Sequence, residues 1–193
     1  MSLFDLVSPP DLRATLEHRT LRRVLAVAAG ALLVALGAQV AVPLPGTPVP
    51  LTLQGPAVLI VGGLLGAPAG APSMVLYLVL GAAGLPVFAP LGVPGLARLF
   101  GPTGGYLLAF PVAAAAVGQL AGDGRSWARL AGGLFAGLAI IYVGGIAQLA
   151  ALGGDLSNAL RVGSLPFLAA DLCKLVIAGV AIKRFGPAVR ALL

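Results

Sequence analysis

The chain has 193 residues, of which 59% are hydrophobic and only 9% are charged, and its formal net charge is +6. A soluble domain carries about a quarter of its residues as charges, so this composition excludes a water-soluble globular protein and predicts an integral membrane protein. The apolar runs are continuous rather than alternating, which favours membrane-spanning helices over a β-barrel. The basic residues flank these runs, so their excess indicates membrane topology rather than nucleic-acid binding.

Six apolar runs approach the length of a transmembrane helix. We predict spans at about 21–42, 51–67, 69–86, 103–121, 128–152 and 164–183, which form a single membrane domain. The second and third spans are short and are separated by a tight turn at 66–70. Residues 1–20, with a helix start near Ser8, are predicted to form a polar lead helix in the cytoplasm or at the membrane interface.

The basic residues are distributed unequally between the two sets of connections. The N-terminus, the 66–70 turn, the 121–129 loop and the C-terminus together hold nine, whereas 43–50, 87–102 and 153–163 hold two. Because positive residues are retained on the cytoplasmic side, both termini are predicted to be cytoplasmic. The predicted fold class is therefore an all-α integral membrane protein with six transmembrane helices in one bundle.

Two opposite charges lie inside the sixth apolar run. Asp171 and Lys174 are three residues apart, so they share a helix face and are close enough to touch. Each charge costs about 2.5 to 3.5 kcal/mol at the centre of a membrane helix, and buried ion pairs seldom stabilise more than apolar replacements would. We therefore interpret the pair as a binding site, with a purely structural ion pair as the alternative.

Other polar residues fall near the predicted outer ends of the spans. They are Gln39, Thr52, Gln54, Thr103, Tyr106 and Gln148. Together they predict a polar cavity that opens to the outside. The proline-rich segments "AVPLPGTPVP" and "GLPVFAPLGVPGLARLFGPTGG" predict ordered, non-helical covers over this cavity, with ordinary turns as the alternative. Phe88, Phe100 and Tyr106 would add aromatic surface.

The remaining chemistry of the chain argues against an enzyme. Neither Lys174 nor Lys183 follows the glycine pattern of a phosphate-binding loop, and the single histidine, His18, precedes the first span. Cys173 is the single cysteine, so no intrachain disulfide is expected. We predict no catalytic residues, no metal site and no cofactor. Two classes stay open: a solute-binding membrane protein powered by partners, or a self-sufficient carrier or channel; the lack of a visible internal repeat favours the former.

Several longer strings resemble a known family. "ALLVALGAQVAVPLPGTPVPLTLQGPAVLIVGGLLG", "YLVLGAAGLPVFA", "GPTGGYLLAF" and "PFLAADLCK" occur in the order seen in BioY, the biotin-specific S component of energy-coupling factor (ECF) transporters. The resemblance covers most of residues 25–180. It implies six helices with cytoplasmic termini and a biotin pocket near the outer face, in the plasma membrane of a prokaryote. An S component for another small vitamin, or a secondary carrier, is the alternative.

The resemblance also implies partners and site residues. The partners are biotin, the lipid bilayer, a transmembrane coupling subunit and two ATP-binding-cassette ATPases. The expected substrate-binding residues are Thr52, Gln54, Tyr77, Phe88, Gly104, Gly105, Tyr106, Asp171 and Lys174. Ala31 and Ala35 have the spacing of the small residues that contact the coupling subunit in S components. Both ends of biotin carry groups that suit an Asp–Lys pair, so the sequence leaves the orientation of the ligand open.

Overall fold

The computed structural model describes residues 10–193, and side chains from residue 18 onward. The structure is mostly helical. The elements are α1 (Pro10–Gln39), β1 (Ala41–Val42), β2 (Leu51–Thr52), α2 (Gln54–Leu65), α3 (Ala67–Ala82), α4 (Ala97–Phe100), α5 (Gly104–Leu120), α6 (Trp127–Gly153), α7 (Leu156–Gly163) and α8 (Leu168–Ala191).

The first helix differs from its predicted form at both ends. Where a lead helix was expected to precede the first span, α1 runs without a break from Pro10 to Gln39. The expected helix start near Ser8 lies outside the described residues. The helix also ends three residues before the predicted end of the span, because Ala41 and Val42 pair with β2 in an antiparallel two-stranded ribbon.

The turn between the short second and third helices is tighter than the turn predicted at 66–70, since α3 already begins at Ala67. Gly66 alone separates α2 from α3, with a φ of 72°, a conformation that glycine adopts without steric cost. At Gly62 an added Cβ would lie 2.5 Å from the carbonyl oxygen of Ala114 in α5. The absence of a side chain at Gly62 therefore lets α2 contact the backbone of α5 directly.

The sixth apolar run is divided in two. α7 and α8 meet at a bend of 53°, and α8 continues to Ala191, beyond the predicted end at 183. Pro166 lies in the break, where its missing N–H and fixed φ interrupt the helical hydrogen-bond ladder. Asp155 begins α7 by accepting a hydrogen bond from the backbone N–H of Ser157 at 2.9 Å.

The lengths and hydropathies of the helices suit a membrane. In the described part of the chain, the segments His18–Gln39 and Trp127–Gly153 are long and apolar enough to cross one, and the bent pair α7 and α8 qualifies when counted as one span. The helices α2, α3 and α5 are apolar but shorter. Large apolar side chains such as Val143 and Ile177, 68% and 67% exposed, lie on the outer surface of the bundle.

The connections rich in basic residues lie at one end of the bundle, which we call the basic end. Arg190 near the end of α8 donates two hydrogen bonds, at 3.1 and 2.6 Å, to the carbonyl of Gly63 in the last turn of α2. Lys183 donates to the carbonyl of Arg125 in the loop between α5 and α6. The α2–α3 turn, the α5–α6 loop and the C-terminus are therefore neighbours.

The connections poor in basic residues meet at the opposite end, which we call the loop end. Thr47 donates to the carbonyl of Val162 in α7 at 2.7 Å. Gln39 donates to the carbonyls of Pro86 and Phe88 at 3.3 and 3.4 Å, which ties α1 to the connection between α3 and α5. At this end of the bundle, these bonds tie the first connection to α7 and the second connection to α1.

Candidate binding site

A cavity lies inside the bundle at the loop end. It contains about 860 Å³ of non-atom space, including its open mouth. Much of its wall is apolar and comprises Leu59, Leu107, Phe110, Leu138, Ile141 and Leu175, from α2, α5, α6 and α8. Its polar side chains are Thr52, Gln54, Arg98, Thr103, Tyr106, Tyr142, Asp171 and Lys174. A mainly apolar wall with a few convergent polar groups is typical of small-molecule sites.

The two charges in α8 form an ion pair on the cavity wall. The Nζ of Lys174 lies 3.0 Å from one carboxylate oxygen of Asp171, and the Tyr142 hydroxyl donates to the other at 2.7 Å. Lys174 also donates to the carbonyl of Thr52 at 2.9 Å. We call Asp171, Lys174, Tyr142 and the Thr52 carbonyl the charged cluster. The Asp171 and Lys174 side chains are 18% and 15% exposed, so the cluster is accessible from the cavity.

Gln54 and Tyr77 form a buried polar contact between α2 and α3. The amide of Gln54 donates to the Tyr77 hydroxyl, and the Tyr77 side chain is 0% exposed. The Tyr77 ring also packs edge-on against Phe88, with ring centroids 5.4 Å apart. Gln54 and Phe88 line the cavity, whereas Tyr77 lies behind them. Tyr77 therefore fixes the positions of two wall residues.

Tyr106 joins the cavity wall to the end of α7, at the break between α7 and α8. Its ring lines the cavity, and its hydroxyl donates to the carbonyl of Gly163 at 2.7 Å. The ring lies close to Gly145 in α6, where an added Cβ would lie 2.1 Å from it. Tyr106, itself in α5, thus contacts α6 and α7 at one corner of the cavity.

The two glycines before Tyr106 do not line the cavity. An added Cβ at Gly104 would lie 1.9 Å from the carbonyl oxygen of Leu99, and one at Gly105 would lie 2.1 Å from that of Gly144 in α6. Real Cβ atoms do not approach other atoms this closely. Gly104 and Gly105 therefore allow the backbones of α5, α6 and the preceding connection to touch, which shapes the cavity indirectly.

Comparisons with known proteins identify the family. The model of the BioY family matches residues 11–191. The chain belongs to the BioY family. It is 41% identical over 152 residues to the probable biotin transporter BioY of Pyrococcus horikoshii, covering 79% of this chain and 88% of that protein. It is 41% identical over 148 residues to the biotin transporter BioY of Thermotoga maritima, with coverages of 77% and 86%.

The fold of this BioY family member also matches that of a solved crystal structure. The crystal structure of the S-component for biotin from an ECF-type ABC transporter superposes with a TM-score of 0.78 at 25% identity. The match covers 86% of this chain and 91% of that one. The similarity therefore extends over most of the fold.

The structure places Ala31 and Ala35 differently from the expectation. As a BioY family member the chain was expected to present these two alanines to a coupling subunit, but their side chains are 2% and 8% exposed and belong to the core of the bundle. At the neighbouring Gly30 an added Cβ would lie 2.5 Å from the hydroxyl of Ser73 in α3. The small residues therefore bring α1 close to the bundle itself, and the expectation of an outward-facing pair is wrong.

Two polar wall residues of this BioY family member, Arg98 and Tyr142, do not stand out in the sequence. Arg98 reads as an ordinary basic residue in a connection, yet it is 6% exposed and lines the cavity. Burial lowers the pKa of its guanidinium from its ordinary value. Tyr142 lies within the apolar run of α6 and was not singled out. A tyrosine hydroxyl in such a run needs a hydrogen-bond partner, so its presence indicates a polar group nearby.

Proposed function

We propose that this chain captures biotin in the cavity at the loop end and serves as the S component of an ECF transporter, rather than as an enzyme. The observation that supports this best is the charged cluster on the wall of a mainly apolar cavity. The family membership and the biotin S-component structure with the same fold point to the same ligand.

The chemistry of biotin suits the cavity. Its fused rings and aliphatic chain are apolar, its ureido group has two N–H donors and one carbonyl acceptor, and its carboxylate is an acceptor. Asp171 accepts hydrogen bonds from N–H groups, and Lys174 donates to a carbonyl or a carboxylate. In the structure these two side chains satisfy each other at 3.0 Å. A bound ligand supplies replacement partners, and its apolar body packs on the leucine- and phenylalanine-rich wall.

The proposed site residues are those that the cavity brings together. They are Thr52, Gln54, Phe88, Tyr106, Asp171 and Lys174 from the sequence, with Tyr142 added. Tyr77 is proposed to act through Gln54 and Phe88, and Gly104 and Gly105 through the packing of α5. None of these residues offers a nucleophile–base pair, which agrees with binding and transport rather than catalysis.

For the membrane arrangement, we propose six spans formed by α1, α2, α3, α5, α6 and α8, with both termini in the cytoplasm of a prokaryote. The basic end then faces the cytoplasm and the cavity opens outward. The nine-to-two distribution of basic residues supports this orientation. At 1.5 Å per residue, the 12 residues of α2 extend about 18 Å, so α2 crosses only together with its flanking segments.

For the energy source, we propose a transmembrane coupling subunit and two ATP-binding-cassette ATPases. The chain has no phosphate-binding loop of its own, so ATP hydrolysis must come from other subunits. Co-expression of the chain with an ECF coupling subunit and its ATPases, followed by affinity purification on this chain, should recover all of them. Biotin uptake that persists at full rate without those subunits would contradict this proposal and favour a self-sufficient carrier.

The substrate proposal is tested by identifying the small molecules that remain bound through purification in detergent. Mass spectrometry of a denatured sample should find biotin in an amount close to that of the protein. The matched control is the Asp171→Asn/Lys174→Met variant, which should carry little or none. Thiamine or riboflavin in place of biotin would contradict the proposal and indicate an S component for another vitamin.

A further inference from the structure

Basic and aromatic side chains are grouped at the basic end, where the start of α6 lies beside the second half of α8. Residues 122–129 and 183–184 hold one acid, Asp123, and four bases: Arg125, Arg129, Lys183 and Arg184. Asp123 forms an ion pair with Arg125 at 3.7 Å. The group therefore keeps an excess of positive charge that no acid among residues 18–193 neutralises.

Trp127, the single tryptophan of the chain, lies at the centre of this group. Its ring lies against α8, 3.5 Å from the position of an added Cβ at Gly179. One helical turn further on, the Nζ of Lys183 lies 5.2 Å from the centroid of the ring. Lys183 also donates to the carbonyl of Arg125, but an ammonium group has three donors, so others are left for a ligand. Trp127 is 55% exposed, so the ring is accessible from outside the bundle.

Arg184 ends an apolar stripe on the outer surface of α8. Ile177, Val180 and Arg184 share one face of the helix, since they are three and four residues apart, and all three are exposed. At 1.5 Å per residue, Arg184 lies about 10 Å beyond Ile177 along the helix axis. Its guanidinium contacts the ring of Phe185 at 5.7 Å but has no hydrogen-bond acceptor among the described residues. We call Trp127, Lys183 and Arg184 the interfacial cluster.

We propose that the interfacial cluster binds the headgroup of an anionic phospholipid from the leaflet at the basic end. The lipid phosphate supplies the negative charge that Lys183 and Arg184 lack, through charge-assisted hydrogen bonds. An anionic headgroup, unlike a zwitterionic one, has no ammonium group of its own to offset this charge. The Trp127 ring suits the boundary between headgroups and acyl chains, and the acyl chains pack on the stripe that contains Ile177 and Val180. This proposal rests on the proposed membrane arrangement but not on biotin as the ligand.

The test uses the fluorescence of Trp127, because bromine atoms on a lipid acyl chain quench a tryptophan that they contact. The purified full chain is reconstituted into phosphatidylcholine vesicles that contain a small fraction of a brominated lipid. That lipid is either phosphatidylglycerol, which is anionic, or phosphatidylcholine, which is zwitterionic. Half-maximal quenching by brominated phosphatidylglycerol should need a concentration at least about fivefold lower than quenching by brominated phosphatidylcholine.

Variants identify the side chains responsible for this preference. Lys183→Met/Arg184→Gln should remove it, so that the two brominated lipids quench Trp127 equally. The matched control is Arg19→Gln/Arg22→Gln, which removes two exposed bases from α1, a helix that packs mainly against α3 and α2, and it should keep the preference of wild type. Lys183→Arg/Arg184→Lys conserves both charges and should keep it as well. Thermal unfolding of the same preparations checks that each variant is folded.

Two results would overturn the lipid site. Equal quenching by the two brominated lipids in the wild-type chain would do so whether or not any variant folds, and it would favour a protein partner for the interfacial cluster. An equal loss of preference in Arg19→Gln/Arg22→Gln and in Lys183→Met/Arg184→Gln would show that overall charge attracts the lipid, which also excludes a specific site. Because the measurement does not involve biotin, neither result would affect the proposed function.

Discussion

Replacing Asp171 by Asn and Lys174 by Met together removes the ion pair while leaving no unpaired charge behind. The double variant loses the 3.0 Å contact and the bond from Lys174 to the Thr52 carbonyl. The asparagine oxygen still accepts the hydroxyl of Tyr142. Because replacing a buried pair by uncharged residues of similar size is often neutral or stabilising, we expect the double variant to melt no lower than wild type.

The single variant Asp171→Asn should behave differently. It leaves Lys174 with the Thr52 carbonyl but without its counter-charge. Removing one partner of a fully buried pair costs about 3 to 5 kcal/mol, but the Lys174 side chain here is 15% exposed to the cavity. We therefore expect a loss of stability of about 1 to 3 kcal/mol, visible as a lower melting temperature than that of the double variant.

The affinity of the double variant for biotin distinguishes a ligand-binding role of Asp171 and Lys174 from a purely structural ion pair. The double variant lacks both the carboxylate acceptor and the ammonium donor that the ligand is proposed to use. Each hydrogen bond to a charged group contributes about 1.5 to 3 kcal/mol, so two of them together contribute about 3 kcal/mol or more. The Kd for biotin should therefore rise at least about 100-fold.

The assay is equilibrium binding of radiolabelled biotin, with thermal unfolding measured on the same detergent preparation. Asp123→Asn/Arg125→Met is the matched control, because it also removes one acid and one base, from an exposed ion pair of 3.7 Å at the basic end. The control should bind biotin like wild type. A well-folded Asp171→Asn/Lys174→Met variant with wild-type affinity would refute the assignment of the charged cluster as the binding site.

Two further predictions concern topology and packing. In a Cys173→Ala background, single cysteines at Ser126 and Ser157 should react with a membrane-impermeant thiol reagent from opposite sides; labelling of both from outside would contradict the proposed orientation. Gly105→Val should lower stability by about 1 to 3 kcal/mol in thermal unfolding, because its side chain would enter the α5–α6 contact, whereas Gly132→Val, with open space around it, should not. Equal losses in both would show that close packing is not the cause.

The helical character of the protein follows directly from its sequence, but some helix ends do not. Continuous apolar runs indicate α5 and α6 because a membrane helix needs little more than length and hydropathy. The end of α1 at Gln39 depends on the pairing of Ala41 and Val42 with β2, in which Ala41 pairs with Thr52, eleven residues downstream. Such pairing is a tertiary contact, which a hydropathy pattern does not contain. The last apolar run is divided at Pro166, but the run is apolar on both sides of this proline, so hydropathy alone predicts one continuous helix.

The sequence likewise predicts only those site residues whose local pattern is unusual, and not those placed by tertiary contacts. Asp171 and Lys174 stand out because charge inside an apolar run is costly, so their presence needs a cause. Arg98 does not stand out, since its burial arises from the way residues 89–92 turn around it. Ala31 and Ala35 showed that α1 makes a close helix contact, but the spacing of small residues does not say which neighbour is contacted.

The most direct test of the account is isothermal titration of biotin into the purified chain, without partner subunits and after removal of any bound ligand. We expect saturable binding of one biotin per chain. Thiamine and riboflavin, titrated in the same way, should give no comparable heat. A folded chain that binds no biotin, or that binds one of the other vitamins more tightly, would contradict the account.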